Sequence, residues 1–374
     1  MLITRTGAKW GRSCLLAVSI VFTSSAGMAM GQSATAFPEL RDHVDREASA
    51  ASGLGIGAAI CTDTDVHFAA AGPAGPAGPS VDVSTRFLGG SIGKTFTAFI
   101  VAQLVIEGVL NLDEPVVAHF EDVPSFSRLP NHDRITLRQL LNHSAGVPDY
   151  LESWRFHLFA RDLQRDLTPT DLLHYMVHSN ASGEPGAHFA YSDSHYILAG
   201  LIVERVTGQR YTDLVEQRVI ERFNLQQTQP QLGRRHDNLA VAVRPGIFRD
   251  RLSGEYGSLN RPLDYEWAAG GLVTSPEDLA CFFQRLGGGE FPAELELMTS
   301  RPNPVNAAAG LHYGLGLFIR TDVEGNFTLS HGGDFYGFRS AASYSSRTDE
   351  GTAIQANRKE FDAPASLARW LRNR

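Results

Sequence analysis

The sequence predicts an α+β protein, an α/β sandwich joined to an all-helical domain. Its antiparallel sheet is built from both chain ends and flanked by N- and C-terminal helices, and the helical domain is inserted between the two halves. Three observations carry this. Near the start, "GIGAAICTDTDVHFAAAG" sets two apolar runs around a polar TDTD, which is a hairpin pattern. From about residue 110 to 260, helical patterns follow one another with loops between them. The chain then returns to short strand-like runs, "YGLGLFIRT", "NFTLSHGG", "GFRSAASYSS" and "GTAIQANR", each bounded by Gly, Asp or Asn. Strands at both ends around a helical block describe one sheet with an insertion. The boundaries that follow are 37–90 with 262–374 for the sheet-containing domain and 91–261 for the mainly helical one, with an active site between them.

Each element has its own reason. Arg5, Lys9 and Arg12 precede the apolar "CLLAVSIVF", and small residues follow down to Ala34-Thr35-Ala36. This predicts a secretory signal peptide over 1–36, cut after Ala36 or alternatively Ala29. The apolar run is shorter than the ~20 residues a membrane span needs, and Cys14 has no lipobox before it. The expected location is periplasmic or secreted, with no stable membrane insertion once the signal is removed. "FPELRDHVDREASA" reads as a helix with Leu40, Val44 and Ala48 on one face, and "GPAGPAGPS" at 72–80 as a surface loop. "TFTAFIVAQLVIEG" is apolar on nearly every side, so it predicts a buried helix ending at Gly108. Ser275-Pro276-Glu277-Asp278 before "LACFFQRLG" combines an N-cap, a proline at the first helical position and an acid at the third. "APASLARWLRNR" closes the chain as a helix.

Composition narrows the function classes. Over 374 residues, 43% hydrophobic and 20% charged content are those of a folded soluble domain. The net charge of -8 includes the three positive charges of the signal segment, so the mature chain is more acidic still. That argues against nucleic acid and anionic membranes as partners. Cys61 and Cys281 remain after the signal. Export permits a bond between them, but the apolar stretch around each predicts two buried free thiols.

The chemistry centres on "GGSIGKTFTA" at 89–98. A phosphate-binding loop needs a glycine five residues before Gly93, and that position is Leu88. The G-x-S-x-G of Gly89 to Gly93 matches a nucleophile elbow, but the chain before Ser91 is too short for the βαβ units that elbow needs. Ser91 and Lys94 at i and i+3 share one face of a helix start. There the lysine amine reaches the serine hydroxyl, and the positive helix end favours an alkoxide. His174 and His178 lie four apart with no third ligand, so they predict no metal site. "SDSH" at 192–195 holds Ser, Asp and His as sequence neighbours, which rarely converge as a triad.

Two further stretches extend the S-x-x-K pair: Tyr191-Ser192-Asp193 ahead of "SHYILAGLIVERVTG", and His331-Gly332-Gly333 between two strands. With "RFLGGSIGKTFTA", "ITLRQLLNHSAGVPDY", "HFAYSDSHYILAGLI", "WAAGGLVTSPEDLA" and "LSHGGDFYGFRS" in that order, the chain from about Gly55 to about Arg358 resembles the serine β-lactamase and penicillin-binding superfamily. The likeness is to the branch of class C β-lactamases, D-alanyl-D-alanine carboxypeptidases, D-aminopeptidases and related esterases. The resemblance implies a β-lactamase/transpeptidase-like fold, with Ser91 as nucleophile and Lys94 as its proton partner. It also implies Tyr191 as the phenol that trades protons with nucleophile and leaving group, and His331 where relatives carry a lysine. His331 is expected to bond Tyr191 or a substrate carboxylate, and Gly332 and Gly333 to let substrate lie along the strand. Backbone N–H groups of Ser91 and Asp334 are the implied oxyanion donors, with Gly333 beside them.

Asp193 departs from the family's usual asparagine. A carboxylate accepts but does not donate, so amide recognition there changes. Ionised, it is expected to hold Lys94 charged and to shift the base role to Tyr191, with the ammonium lowering the phenol's pKa; protonated, it donates instead. Arg320, Arg339 and His331 are the candidate receivers of a substrate carboxylate. The expected function is an exported serine hydrolase working through an acyl-enzyme on a small-molecule or peptidoglycan-derived substrate, with no metal or cofactor. D-alanyl peptides come first as substrates, then β-lactams, then small esters. The alternatives are a carboxylesterase of the same fold and a non-catalytic penicillin or peptidoglycan-fragment binder.

Overall fold

The computed structural model describes residues 37–51, 53–159, 167–177, 180–242, 254–306 and 310–372. The segment read as a signal peptide lies outside them. The described chain from Phe37 onward falls in one compact unit.

It opens with helix α1 (Pro38–Ala50) and the hairpin β1 (Ile56–Cys61) and β2 (Val66–Ala71). The short β3 (Phe87–Leu88) leads through a 3-10 turn at Gly90–Ile92 into α2 (Gly93–Ile106). The helical block holds α3 (Leu137–Leu141), α4 (Trp154–Phe159), α5 (Pro169–Met176), α6 (Asp193–Thr207) and α7 (Tyr211–Val215). After β4 (Gln229–Pro230) come α8 (Trp267–Gly270), β5 (Leu272–Thr274), α9 (Pro276–Gly287) and α10 (Pro292–Thr299). The C-terminal part supplies β6 (Asn303–Asn306), β7 (Leu311–Tyr313), β8 (Phe318–Thr321), β9 (Phe327–Phe335), β10 (Phe338–Ser345), β11 (Glu350–Ala356) and finally α11 (Ala363–Arg372).

The main sheet runs β2-β1-β11-β10-β9-β8-β7-β6, antiparallel throughout, so the N-terminal hairpin joins the C-terminal strands edge to edge. This is the α+β arrangement expected of strands at both chain ends. Both faces are covered over the central strands β1, β11 and β10, which are buried along nearly their whole length, while β9 alternates. On β1, Ala58 and Ile60 pack with Leu40 and Val44 of α1 and Leu367 and Trp370 of α11, while Ala59 and Cys61 face α9 and the main core. A smaller sheet, β3-β5-β4, carries the chain from the sandwich toward α2.

The all-round apolar α2 is buried from Gly93 to Leu104 among α6, α8 and α10, and Gly108 takes the left-handed φ of +73° as it ends. Ser275 caps α9 through its hydroxyl, which accepts from Asp278 N at 3.2 Å. The segment "RITLRQLLNHSAG" forms far less helix than its pattern suggests. The helix stops at Leu141, and two residues on His143 turns to a left-handed φ of +58°.

The expectation of two free thiols is overturned. Cys61 of β1 and Cys281 of α9 form a disulfide with their Cα atoms 5.0 Å apart. Both do sit in apolar stretches, but packing α9 across β1 brings them face to face, and sequence separation concealed that. No helix among the described residues is long and apolar enough to cross a membrane.

Candidate active site

Ser91 lies in the 3-10 turn that runs without a break into α2, so Lys94, three residues on, folds back beneath it. The Lys94 ammonium donates to Ser91 Oγ at 3.1 Å and to the Ala269 carbonyl at 2.6 Å, and pairs with Asp193 Oδ1 at 2.5 Å. Two hydrogen bonds and one ion pair thus hold the ammonium, and the side chain is fully buried. Burial alone would pull this lysine's pKa down. The Asp193 carboxylate, with Tyr191 and Glu266, outweighs it and raises the pKa above the ordinary lysine value. Lys94 is therefore a fixed cation.

Asp193 opens α6, whose first turn docks on residues 149–151. Asp193 N donates to Asp149 Oδ2 at 3.0 Å, Leu151 N to Asp149 Oδ1 at 3.0 Å, and Tyr150 N to Ser194 Oγ at 2.9 Å. Three buried or half-buried carboxylates, Asp149, Asp193 and Glu266, thus share one ammonium. Burial, then repulsion from Asp193, lifts both Asp149 and Glu266 well above the usual carboxylate range.

Tyr191 sits above the pair, its ring centroid 5.1 Å from Lys94 Nζ. It keeps 38% of its surface open to solvent, while its phenol end is desolvated within hydrogen-bonding reach of Ser91 and Lys94. The ammonium does lower this phenol, as expected, but burial and Asp193 together outweigh it and push the pKa up to about 12. The resting site therefore holds both protons, one on Lys94 and one on Tyr191.

The β9 edge closes the site from the other side. β8 pairs with β9 only as far as Ser330, opposite Phe318, so His331 to Phe335 continue past the end of β8 toward the Ser91 turn. Gly90, at φ +55°, lies so close that a Cβ there would come within 3.2 Å of Asp334 N. A Cβ on Gly333 would stand 2.1 Å from the Gly89 carbonyl. Gly333 is thus glycine to admit this chain's own backbone, where the sequence reading had assigned the space to substrate.

His331 also differs from expectation. Odd-numbered residues from Leu329 to Phe335 face inward on β9, so the ring is buried on the same face as Gly333, and its hydrogen-bond partner is Tyr313 where Tyr191 was expected. Its Nε2 accepts from the Tyr313 hydroxyl at 2.9 Å, and its Nδ1–H donates to the Gly332 carbonyl at 2.7 Å. Burial, with Lys94 adding to it, pulls its pKa down to about 3, so the ring is neutral and offers no cation to a carboxylate. Arg339 is committed to Asp334 at 2.9 Å and to the Lys359 carbonyl at 2.7 Å. Arg320 is exposed on β8, paired across to Leu311 and Thr328. Half-buried Phe189 and Phe318 stand beside Tyr313 and Tyr191 as an aromatic wall.

The fold thus gathers Ser91, Lys94, Tyr191, Asp193, Gly333 and Asp334 around one point, with His331 buried on the same face of β9 and bonded to Tyr313. Sequence reasoning missed Asp149, Glu266, Ala269 and His143. Glu266 precedes and Ala269 lies within "WAAGG", and His143 lies in "LLNHSAG", stretches that carry no motif of a particular chemistry. His174 lies on α5, and His178 lies outside the described residues.

A family model described as Beta-lactamase matches residues 40–373. Among solved structures, a D-stereospecific amidohydrolase from Streptomyces sp. superposes with a TM-score of 0.75 at 27% identity, over 88% of this chain and 96% of that one. The D-amino acid amidase from Ochrobactrum anthropi SV3 shares the fold, with a TM-score of 0.72 at 21% identity over 90% of this chain and 100% of that one. Penicillin-binding protein 4* of Bacillus subtilis (strain 168) is 25% identical over 259 residues, 66% of this chain and 55% of that protein, so the match spans little more than half of this relative. With its sheet closed from both ends and a serine–lysine pair at the start of its buried helix, the chain belongs to the beta-lactamase family.

Proposed function

We propose that the protein is an exported serine hydrolase that acts through an acyl-enzyme on D-configured amides and short D-peptides such as D-alanyl peptides. One observation carries the chemistry: Ser91 Oγ lies 3.1 Å from a lysine held cationic by Asp193 and the Ala269 carbonyl, with a phenol at the same hydroxyl. A lysine held protonated by the Asp193 carboxylate is no base, so the acceptor for the Ser91 proton is Tyr191 in its phenolate form. Ser91 Oγ bonds to the acyl carbon as its proton passes to Tyr191. Lys94 stabilises the developing charge on Oγ, and the N–H groups of Ser91 and Asp334 face the oxyanion. The C–N bond then breaks and Tyr191 returns the proton to the leaving nitrogen. Water attacks the ester, releasing the acid and restoring the Ser91 hydroxyl.

Substrate class is read from the candidate carboxylate receivers among the described residues. His331 is neutral, Arg339 is engaged and Arg320 is exposed. Within that class this favours amides, and peptides cut away from a free carboxylate, over removal of a carboxyl-terminal residue, and likeness to a D-stereospecific amidohydrolase supports the D-configuration. A second reading, an esterase, is favoured by Asp193. Where the family's asparagine would donate to a substrate amide, this position offers only acceptors, and an ester asks less of it. The Cys61–Cys281 disulfide supports export to an oxidising compartment.

The test is turnover of D-alanine p-nitroanilide, a p-nitrophenyl ester, a chromogenic cephalosporin and a fluorescent penicillin by the wild type and Ser91→Ala. Anilide and ester turnover that falls at least ~10⁴-fold in Ser91→Ala is expected. Activity surviving in Ser91→Ala would overturn the assignment. Ester turnover alone would establish the esterase, and stable penicillin labelling without turnover a binder.

A further inference from the structure

His143 is fully buried and holds a left-handed backbone, φ +58°, uncommon for any residue other than glycine. Such a conformation persists only where the surroundings demand it. Here the demand comes from the strand-like segment that presents Tyr191. The His143 carbonyl accepts from Ala190 N at 2.7 Å, and His143 Nδ1 accepts from Ser192 N at 3.3 Å. The same residue therefore holds the backbone on both sides of Tyr191. Its ring lies against the Tyr191 ring, with centroids 4.1 Å apart and planes at 35°. The carbonyl and the ring can do this together only because the backbone turns left-handed at this residue.

The ring's own state is fixed from α6. His195 Nδ1 lies 3.0 Å from His143 Nδ1. Because Ser192 N–H already points at His143 Nδ1, both bonds exist only if that nitrogen is bare and His195 Nδ1 carries the proton. His143 is thus the Nε2–H tautomer. Burial, His195, Lys94 and His331 all disfavour a charge on it, and Tyr196 and Tyr313 pack against the ring as neutral aromatics.

We propose that His143 is the positioning residue for Tyr191, gripping residues 190 and 192 and bracing the phenol ring against Ser91 without touching substrate. The proposal rests on the serine-hydrolase reading above. The neighbouring Phe189 makes an edge contact to the same imidazole at 5.7 Å, so the brace is continuous with the aromatic wall.

The experiment uses the whole protein and two readouts: kcat and KM on whichever chromogenic substrate the wild type turns over, and the rate at which a fluorescent fluorophosphonate labels Ser91. The second needs no correct acyl group. His143→Gly suits the left-handed backbone and removes both ring and acceptor. His143→Asn also suits it, and keeps an oxygen able to accept from Ser192. The expected losses are about 10²-fold in kcat and labelling rate for His143→Gly and about 10-fold for His143→Asn, with KM nearly unchanged. In a Tyr191→Phe background the same substitutions should cost nothing further. An equal loss in that background, or no loss in the wild-type background, overturns the inference while leaving the hydrolase reading intact. A wild-type protein that neither turns over substrate nor labels at Ser91 overturns both. If His143→Gly does not fold, His143→Asn alone decides.

Discussion

Asp193 sets the protonation of the whole site. It lies 2.5 Å from Lys94 and raises the pKa of both Lys94 and Tyr191. Acylation needs the phenolate, and the phenol's pKa stands at about 12, so kcat/KM for acylation is expected to climb through the alkaline range. Asp193→Asn removes the negative charge and favours the deprotonated forms of both neighbours. The sign is therefore toward lower pH: the rising limb of the pH–kcat/KM profile should move down by about one unit or more, and amide turnover at pH 7 should rise with it. An unmoved limb would show that Asp193 does not hold the Tyr191 proton. Ser91 and Lys94 were legible from sequence because i and i+3 on a helix are neighbours whatever the rest of the fold does. Asp149 and Glu266 were not, because nothing local says which carboxylates a buried ammonium will meet.

At the scale of elements, the site is an agreement between the end of β9 and the start of α2. β9 passes close enough to the Gly89 turn that Gly333 has no room for a side chain, its Cβ position being 2.1 Å from a carbonyl oxygen. Gly333→Ala should push that turn and the strand apart, displacing Asp334 N from Ser91. An added methyl that forces a shift of about an ångström predicts a loss of about 10²-fold in kcat on the anilide or ester, measured beside a melting curve showing the fold retained. Full activity in Gly333→Ala would mean the Asp334 N–H takes no part. Strand periodicity was readable in "FTLSHGGDF", yet the side His331 faces was not. A period of two says that alternate residues share a face, and only the neighbours of the sheet decide which face is the core. Likewise the pattern of "RITLRQLLNHSAG" suggested a longer helix, and tertiary contact with residues 182–190 ends it early, since Ser144 O and Gly146 O bond to Gly186 N and Ser182 N.

At the scale of the molecule, the Cys61–Cys281 bond joins β1 to α9 across a sequence separation of 220 residues. Cross-linking so long a loop restricts the unfolded chain, and losing a native disulfide typically costs about 2–5 kcal/mol. Cys61→Ser with Cys281→Ser, or reduction of the wild type, should lower the melting temperature by several degrees while leaving kcat unchanged, since neither cysteine contacts the groups around Ser91 named above. An unaltered melting temperature would indicate that the bond does not form in solution.

Short-range pattern and the order of strand and helix signals were enough to read strands at both ends of the chain, a helix apolar all round, a serine and lysine one turn apart, and a tyrosine just ahead of a later helix. Packing in three dimensions settled which distant groups meet, because burial and charge act through space and not along the chain. It paired two cysteines that sequence left apart and turned His331 inward to Tyr313. It also placed three carboxylates around one lysine and set His143 against Tyr191. In a desolvated site those placements govern where each proton sits, and the proton positions govern the chemistry.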